Sequence, residues 1–465
     1  MTRTRVDLTD LQIEHLRTLV SGQVSTNSSV LELHSHDESA ATPVLPSAVV
    51  MVESMQEVSQ VLAYCNREKI PVVAFGAGTS LEGHVVPLLG GVSLDLSGMN
   101  KILEISADDL FARVQPGVHR IALNEKLSSH GLFFSVDPGA DATIGGMAAT
   151  GAAGTTTVRY GSMRENVMAL TAVLADGTII HTGRATRKLS AGYDLTRLLV
   201  GSEGTLAIIT ELTVRLFGIP EKMAAAVVRF PSLTEGVAAA TAVVRSGIAV
   251  ARCEFLDAKS IGYINVHENL SLTQAPTLFF EFHGSPIGVE EDAKSVREIV
   301  SEFGGSEFEW TTDEGQRRKL WQARHSAHWA ILGANPGMAS VSTDMAVPLS
   351  HLAQAVEMAE ETLTNSPYLF AVVGHVADGN FHCQILVDPN KPEQQVHVRE
   401  ITHAMTSKII AMGGTCTGEH GIGSGKMKSL VEETGEPAVQ MMRAIKQALD
   451  PNAILNPGKI FKEAL

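Results

Sequence analysis

The sequence predicts an α+β protein of more than one domain, on three observations. Residues 48–83 read as a strand, a helix and a second strand that runs into a glycine-rich loop. Residues 170–181 read as a β-hairpin turning at Asp176-Gly177. Beyond Phe217-Gly218-Ile219-Pro220 the texture changes, and strands such as 278–282 alternate with amphipathic helices such as 288–303. These features divide the 465 residues into 1–218, 219–425 and a helical C-terminal segment, 426–465.

An amphipathic lead-in at 8–19 precedes a strand at 48–52. Ser54-Met55-Gln56-Glu57 then reads as a capping box: the serine oxygen accepts from the third amide while the glutamate reaches back, opening a helix to about Arg67. The strand 71–75 runs into Gly76-Ala77-Gly78-Thr79-Ser80-Leu81-Glu82-Gly83. This begins G-x-G, but Leu81 stands where a dinucleotide fingerprint needs its third glycine, and a turn with Pro87 follows instead of a helix. A Rossmann NAD site is therefore disfavoured, while a backbone cradle for a pyrophosphate of another kind stays open. A second small-residue tract holds Pro138, Gly139, Thr143, Gly145, Gly146, Ala149, Thr150 and Gly154. Either a flat ring approaches this backbone closely, or it packs against a neighbouring strand. Gly201-Ser202-Glu203-Gly204-Thr205 leads into an apolar run containing Ile208 and Ile209. A last helix, 436–449, stops at Asp450-Pro451, and Leu455-Asn456-Pro457-Gly458 turns the chain once more.

Composition excludes several classes. With 44% hydrophobic and 19% charged residues the chain is globular, not disordered. Its 36 basic and 51 acidic side chains leave a formal charge of −15, which argues against a nucleic-acid partner held by phosphate contacts. Cys65, Cys253, Cys383 and Cys416 show no C-x-x-C spacing, pointing to a reducing compartment. No run of about 18 or more apolar residues is present, so no transmembrane segment is expected. The expected location is cytoplasmic or peripheral to the inner membrane.

His375 and His382 flank Asp378-Gly379, the strongest short signal for a two-residue type I′ turn. Counting back pairs Ala377 with Asn380, Val376 with Phe381 and His375 with His382. Opposed residues on one face have Cβ atoms about 5 Å apart, within reach of one divalent ion. Glu419, in Gly418-Glu419-His420-Gly421-Ile422-Gly423, could add a carboxylate, giving a ligand set with open positions. On spacing alone, this metal site and a hairpin carrying two unrelated histidines both stand. Residues 320–328 read as a helix placing Arg324 and His328 on one face at i and i+4. Gln384, two residues past His382, shares its face and is a candidate substrate contact.

Together these segments resemble the FAD-binding oxidoreductases of the vanillyl-alcohol-oxidase superfamily, and within it the cytochrome-linked D-lactate dehydrogenase branch. The subfamily likeness lies in Gly151-Ala152-Ala153-Gly154 followed by Thr155 to Gly161, and in Gly414-Thr415-Cys416-Thr417-Gly418-Glu419-His420. The resemblance implies a two-subdomain PCMH-type FAD domain and an α/β cap domain with an antiparallel sheet. It implies that Gly76, Ala77, Gly78, Thr79, Ser80 and Gly83, the second tract, Val158, Tyr160, Glu203, Gly204, Ile208, Ile209 and Asn456 hold FAD. His84 does not match the known attachment positions, so the FAD is expected to be non-covalent. The other histidines, including His34, His36 and His325, are read as solvated or structural.

The resemblance further implies a divalent metal, zinc or manganese, on His375, His382 and Glu419, with His420 as base and Arg324 as carboxylate anchor. The implied reaction is oxidation of a D-2-hydroxy acid, with hydride passing to flavin N5 because no side chain can accept it. D-lactate is the expected substrate; D-2-hydroxyglutarate and glycolate dehydrogenases are the alternative, and a non-catalytic electron-relay subunit is a reading of another class. The electron acceptor, whether cytochrome, quinone or flavoprotein, is left open, as is a homodimer.

Overall fold

In the computed structural model, residues 4–462 are described. They form two compact units, neither contiguous in sequence. The first comprises Met1–Ala153, Gly161–Ile219 and Glu419–Leu465; the second comprises Gly154–Tyr160 and Pro220–Gly418. The sequence places the second break at 425 instead. Glu419 onward belongs with the first unit because the amides of Ile422 and Gly423 donate to the buried Glu203 carboxylate there.

Two sheets build the first unit. One orders its strands Val24–Ser25, Ala48–Met51, Val92–Asp95, Val72–Phe75, with the last three mutually parallel. The other is antiparallel, in the order Ile102–Ser106, Phe111–Val114, Ile208–Arg215, Val167–Val173, Ile179–Gly183. The helix Met55–Glu68 buries Val58, Val61, Leu62 and Cys65, the i, i+3, i+4, i+7 stripe of an amphipathic helix, against the first sheet. Ser54 caps it, accepting from the Glu57 amide at 3.3 Å. Glu57, however, does not close the expected box: its carboxylate accepts from the amides of Glu53 (2.7 Å) and Ser21 (3.0 Å).

The C-terminal helix, Glu436–Leu449, is anchored by Lys446, whose buried ammonium donates to Asp450 and to the carbonyls of Thr205 and Leu455. The chain then runs alongside Val72–Phe75, with the Val72 amide donating to Ile454 and the Asn456 amide to Val72.

The second unit is an antiparallel sheet in the order Ser306–Thr311, Lys222–Arg229, Thr277–Gly284, Val250–Leu256, Phe370–His375, Asn380–Val387, Ala339–Ser342. Alternation sorts its faces. Cys253, Phe255, Leu278, Phe280, Phe282, Val372, Phe381 and Cys383 join the core with helices Leu233–Arg245, Pro286–Glu302 and Leu352–Thr364. Leu256, Phe279 and Val373 face the other way, against helices Ala258–His267, Glu314–His325 and Ala327–Ala334.

Two local elements differ from the sequence expectation. The hairpin turn is longer than Asp-Gly alone: a 3-10 turn, Val376–Asp378, ends at Gly379 with φ +76°, and His375 pairs with Asn380, Gly374 with Phe381 and Val373 with His382. Gly379 is needed there, since a Cβ would lie 2.2 Å from the Val347 carbonyl oxygen. The 320–328 helix also breaks, at Ser326, so Arg324 ends one helix while His328 lies in the next. Among the described residues, no helix is long and apolar enough to cross a membrane.

Candidate active site

In the first unit, several of the loops expected to hold a cofactor are stitched together. Thr143 caps the short helix Ile144–Thr150 by accepting from Gly146, and a Cβ on Gly76 would fall 2.5 Å from its hydroxyl, so the first loop abuts the second tract. The amides of Gly201 and Glu203 donate to Ala148 and Ala149 (2.9 and 2.8 Å), laying the third loop along the same helix. That helix buries Ile144, Gly145, Met147 and Ala148 and turns Gly146, Ala149 and Thr150 outward. An outer face of hydrogen, methyl and hydroxyethyl is the surface a flat ring can approach. Gly145 serves packing instead, because a Cβ there would meet Pro116.

Several expected cofactor residues have structural duties. The Ser80 hydroxyl donates to Asp37 (2.8 Å), and Ile208 and Ile209 are buried in the two cores of this unit. Asn456 donates to the carbonyls of His84 (3.0 Å) and Glu203 (2.7 Å), tying two loops rather than projecting from one. Gly154, Val158 and Tyr160 lie in the second unit, where Val158 packs on the core and the Tyr160 hydroxyl meets His283 Nδ1 at 2.8 Å.

His84 is buried with Nε2 3.4 Å from the Glu203 carboxylate. Burial by itself would lower the histidine pKa and raise that of the acid. The facing carboxylate outweighs this and raises His84, while His84 and the Ile422 and Gly423 amides lower Glu203. Non-covalent FAD is the expectation for this chain. The purified protein should be yellow, and acid precipitation should leave the FAD in the supernatant; flavin in the pellet would implicate His84 or another side chain.

In the second unit a row of polar groups crosses the sheet face opposite its main core. The hairpin register differs from expectation by two residues, an even number, so His375 and His382 still share a face. They are diagonal neighbours with ring centroids 5.4 Å apart, both buried. His375 Nδ1 donates to Glu254 (2.8 Å) and His382 Nδ1 to the Thr343 carbonyl (3.0 Å). With both Nδ1 atoms protonated, Nε2 carries the lone pair on each ring, the state a metal ligand needs. This donor set fits a divalent ion.

Gln384 lies on the same face, and its buried Oε1 has no hydrogen-bond partner among the described residues. Arg324 is buried and donates through Nε and Nη2 to Glu254, leaving its end-on edge, Nη1 with the second Nη2 proton, to other acceptors. His328 stacks edge-on with Trp329. Glu419 and His420 directly follow Gly418, whose Cα packs against Asn380 and Asp344.

Three buried acids were not singled out from sequence. Glu254 links Arg324 to His375. Asp344 accepts from Asn380 (2.8 Å) and Thr417 (2.7 Å) beside His382. Glu281 meets Arg317 (3.0 Å), Arg252 (3.6 Å) and His283 (2.8 Å). Burial would raise Glu281, but the two guanidiniums and the histidine bring it down to about 2. Alternation alone could have found Glu254 and Glu281: each is an acid at an inward position of an apolar strand, where it is costly unless paired.

Comparison with known proteins identifies the family. An FAD binding domain matches residues 46–183, and the C-terminal domain of FAD linked oxidases matches residues 219–460. The chain is 46% identical over 442 residues to a probable mitochondrial D-lactate dehydrogenase of Danio rerio, covering 94% of this chain and 89% of the relative. It is 42% identical to the mitochondrial D-lactate dehydrogenase [cytochrome] of Arabidopsis thaliana, covering 97% and 80%. Among solved structures, the 4-ethylphenol oxidase of Gulosibacter chungangensis superposes with a TM-score of 0.81 at 19% identity, covering 99% of each chain, which shows the shared fold. The family match over more than half of the chain and the relatives above 40% identity place this protein in the FAD-linked oxidases, as an FAD-dependent oxidoreductase.

Proposed function

We propose that the protein oxidises D-lactate to pyruvate. The observation that carries this reading is the polar face of the second unit's sheet, which holds two histidines with fixed Nδ1 protons and an orphaned glutamine oxygen, and to which a buried helix arginine is tied through Glu254. When bound, FAD supplies the two-electron acceptor, and a divalent ion, zinc or manganese, on His375, His382 and Glu419 supplies a Lewis acid that acidifies the substrate hydroxyl.

The chain's own residues do the rest. Arg324 receives the substrate carboxylate on its end-on edge. Gln384 satisfies its orphaned oxygen on a substrate or water donor. His420, next to a ligand but not itself one, takes the hydroxyl proton as the C–H bond delivers its hydride, so the alcohol becomes a ketone and two electrons leave. The names of the relatives favour lactate, and the Arabidopsis name favours a cytochrome as the onward acceptor.

A second reading is D-2-hydroxyglutarate, whose further carboxylate would need a cation such as Arg317, which meets Glu281 at 3.0 Å. Anaerobic reduction of the bound flavin by a panel of D- and L-2-hydroxy acids separates the readings. D-lactate should bleach the flavin fastest and L-lactate should not. Chelator treatment should abolish the bleaching while FAD stays bound, and Zn²⁺ or Mn²⁺ should restore it. Full activity in demonstrably metal-free protein would remove the Lewis acid from the mechanism.

A further inference from the structure

Glu254 is completely buried on the strand Val250–Leu256, and both of its oxygens are committed. Oε2 accepts from Nε (3.0 Å) and Nη2 (2.7 Å) of Arg324, and Oε1 accepts from Nδ1 of His375 (2.8 Å). A carboxylate this far from water is tolerated only when its lone pairs are met by charged or polar donors. The two donors here are the groups assigned above to opposite ends of the substrate. We propose that Glu254 is a positioning residue that fixes the spacing between the carboxylate anchor Arg324 and the hydroxyl-side ligand His375, and so selects acids whose hydroxyl sits on the carbon next to the carboxylate. The inference rests on the proposed roles of Arg324 and His375.

Three features of the geometry lead there. First, the hydrogen bond to Oε1 holds the His375 proton on Nδ1 and orients the ring, as outer carboxylates do for metal-bound histidines. Second, engagement of the Nε edge restricts Arg324 to its end-on fork, which sets the direction from which a substrate carboxylate can arrive. Third, both constraints pass through one carboxylate, so neither group can move without the other. A 3-hydroxy acid interposes one more carbon, about 1.5 Å of extra bond length. Meeting it would require Arg324 and His375 to separate, which the bridge resists.

Glu254→Asp keeps the charge but withdraws it by one methylene, so it cannot span both partners. Glu254→Gln keeps the length but presents an amide donor to one of two donors. Three readouts apply: Zn²⁺ affinity by competition with a chromophoric chelator, the kcat/KM ratio of D-lactate over D-3-hydroxybutyrate, and thermal melting with flavin content. Both variants should bind Zn²⁺ roughly 10- to 100-fold more weakly, and the Asp variant should lose roughly tenfold or more of the lactate preference. A carboxylate with only a structural role would lower the melting temperature yet leave affinity and ratio unchanged in the folded protein, and that result overturns the proposal.

Arg324→Gln supplies a test that leaves Glu254 in place. It should weaken Zn²⁺ severalfold although arginine is not a ligand, and unchanged affinity counts against the bridge. Wild-type protein that oxidises D-lactate while binding no Zn²⁺ or Mn²⁺ would overturn the metal reading and this inference together. Wild-type protein that binds metal, alongside variants that match it, overturns this inference alone.

Discussion

Arg324→Ala is expected to lower kcat/KM for D-lactate by roughly 30- to 1000-fold, equivalent to about 2 to 4 kcal/mol for a charge-assisted bidentate contact. The burial of the guanidinium and its use of one edge on Glu254 sharpen the comparison with Arg324→Lys. Lysine retains the charge but has one nitrogen where arginine offers two forks, so it must choose between Glu254 and the substrate. The loss should therefore be graded from Lys to Ala, with Lys nearer to Ala than charge alone would suggest. Both variants should still take up metal and FAD. Turnover of a neutral alcohol such as 2-butanol, already poor, should be indifferent to the change. An unaltered kcat/KM for D-lactate in the Ala variant would mean that the carboxylate anchor lies elsewhere.

His420→Asn should keep near-normal metal and FAD content and lose roughly 10²-fold or more in the rate of flavin reduction, the usual cost of removing a general base. The structure gives a reason to expect a clean result. Its loop has backbone ties besides whatever the imidazole makes: the Ile422 and Gly423 amides donate to Glu203. Changing the side chain should thus leave the loop in place. His375→Ala makes the opposite pattern, losing the metal itself. Flavin reduction by the Asn variant at the wild-type rate across pH would exclude His420 as the base.

What could be read from the sequence followed the reach of each interaction. Local signals were legible: the Ser54 cap, the helix ending at Leu449, and the strand that feeds Gly76 all depend on residues within a few positions of one another. The His375 and His382 register was read two residues off, because Asp-Gly suits a short type I′ turn and nothing nearby announces that the Val347 carbonyl sits against Gly379. The shared face survived because strand geometry repeats every two residues. Residues 320–328 carry no proline or glycine to mark the break at Ser326, so the periodic pattern ran through it. Glu254 and Glu281 were missed for a different reason. Alternation marks both as inward acids, but the arginines that pair them, Arg324 for one and Arg252 and Arg317 for the other, stand far away in the chain, and only the folded sheet brings them together.

The division of the chain also has a consequence for how it is made. A ribosome emits residues in order, and the long stretch Pro220–Gly418 contains nearly all of the second unit, whereas the first waits for Glu419–Leu465. Until those residues emerge, Val72 lacks its neighbours Ile454 and Asn456, the loops at His84 and Glu203 lack the amide of Asn456 that joins them, and Glu203 lacks the two amides it accepts. The nascent chain thus holds an open flavin-side unit through most of its synthesis, with hydrophobic strands exposed to aggregation. Its cofactor loops acquire these ties only after Asn456 has emerged.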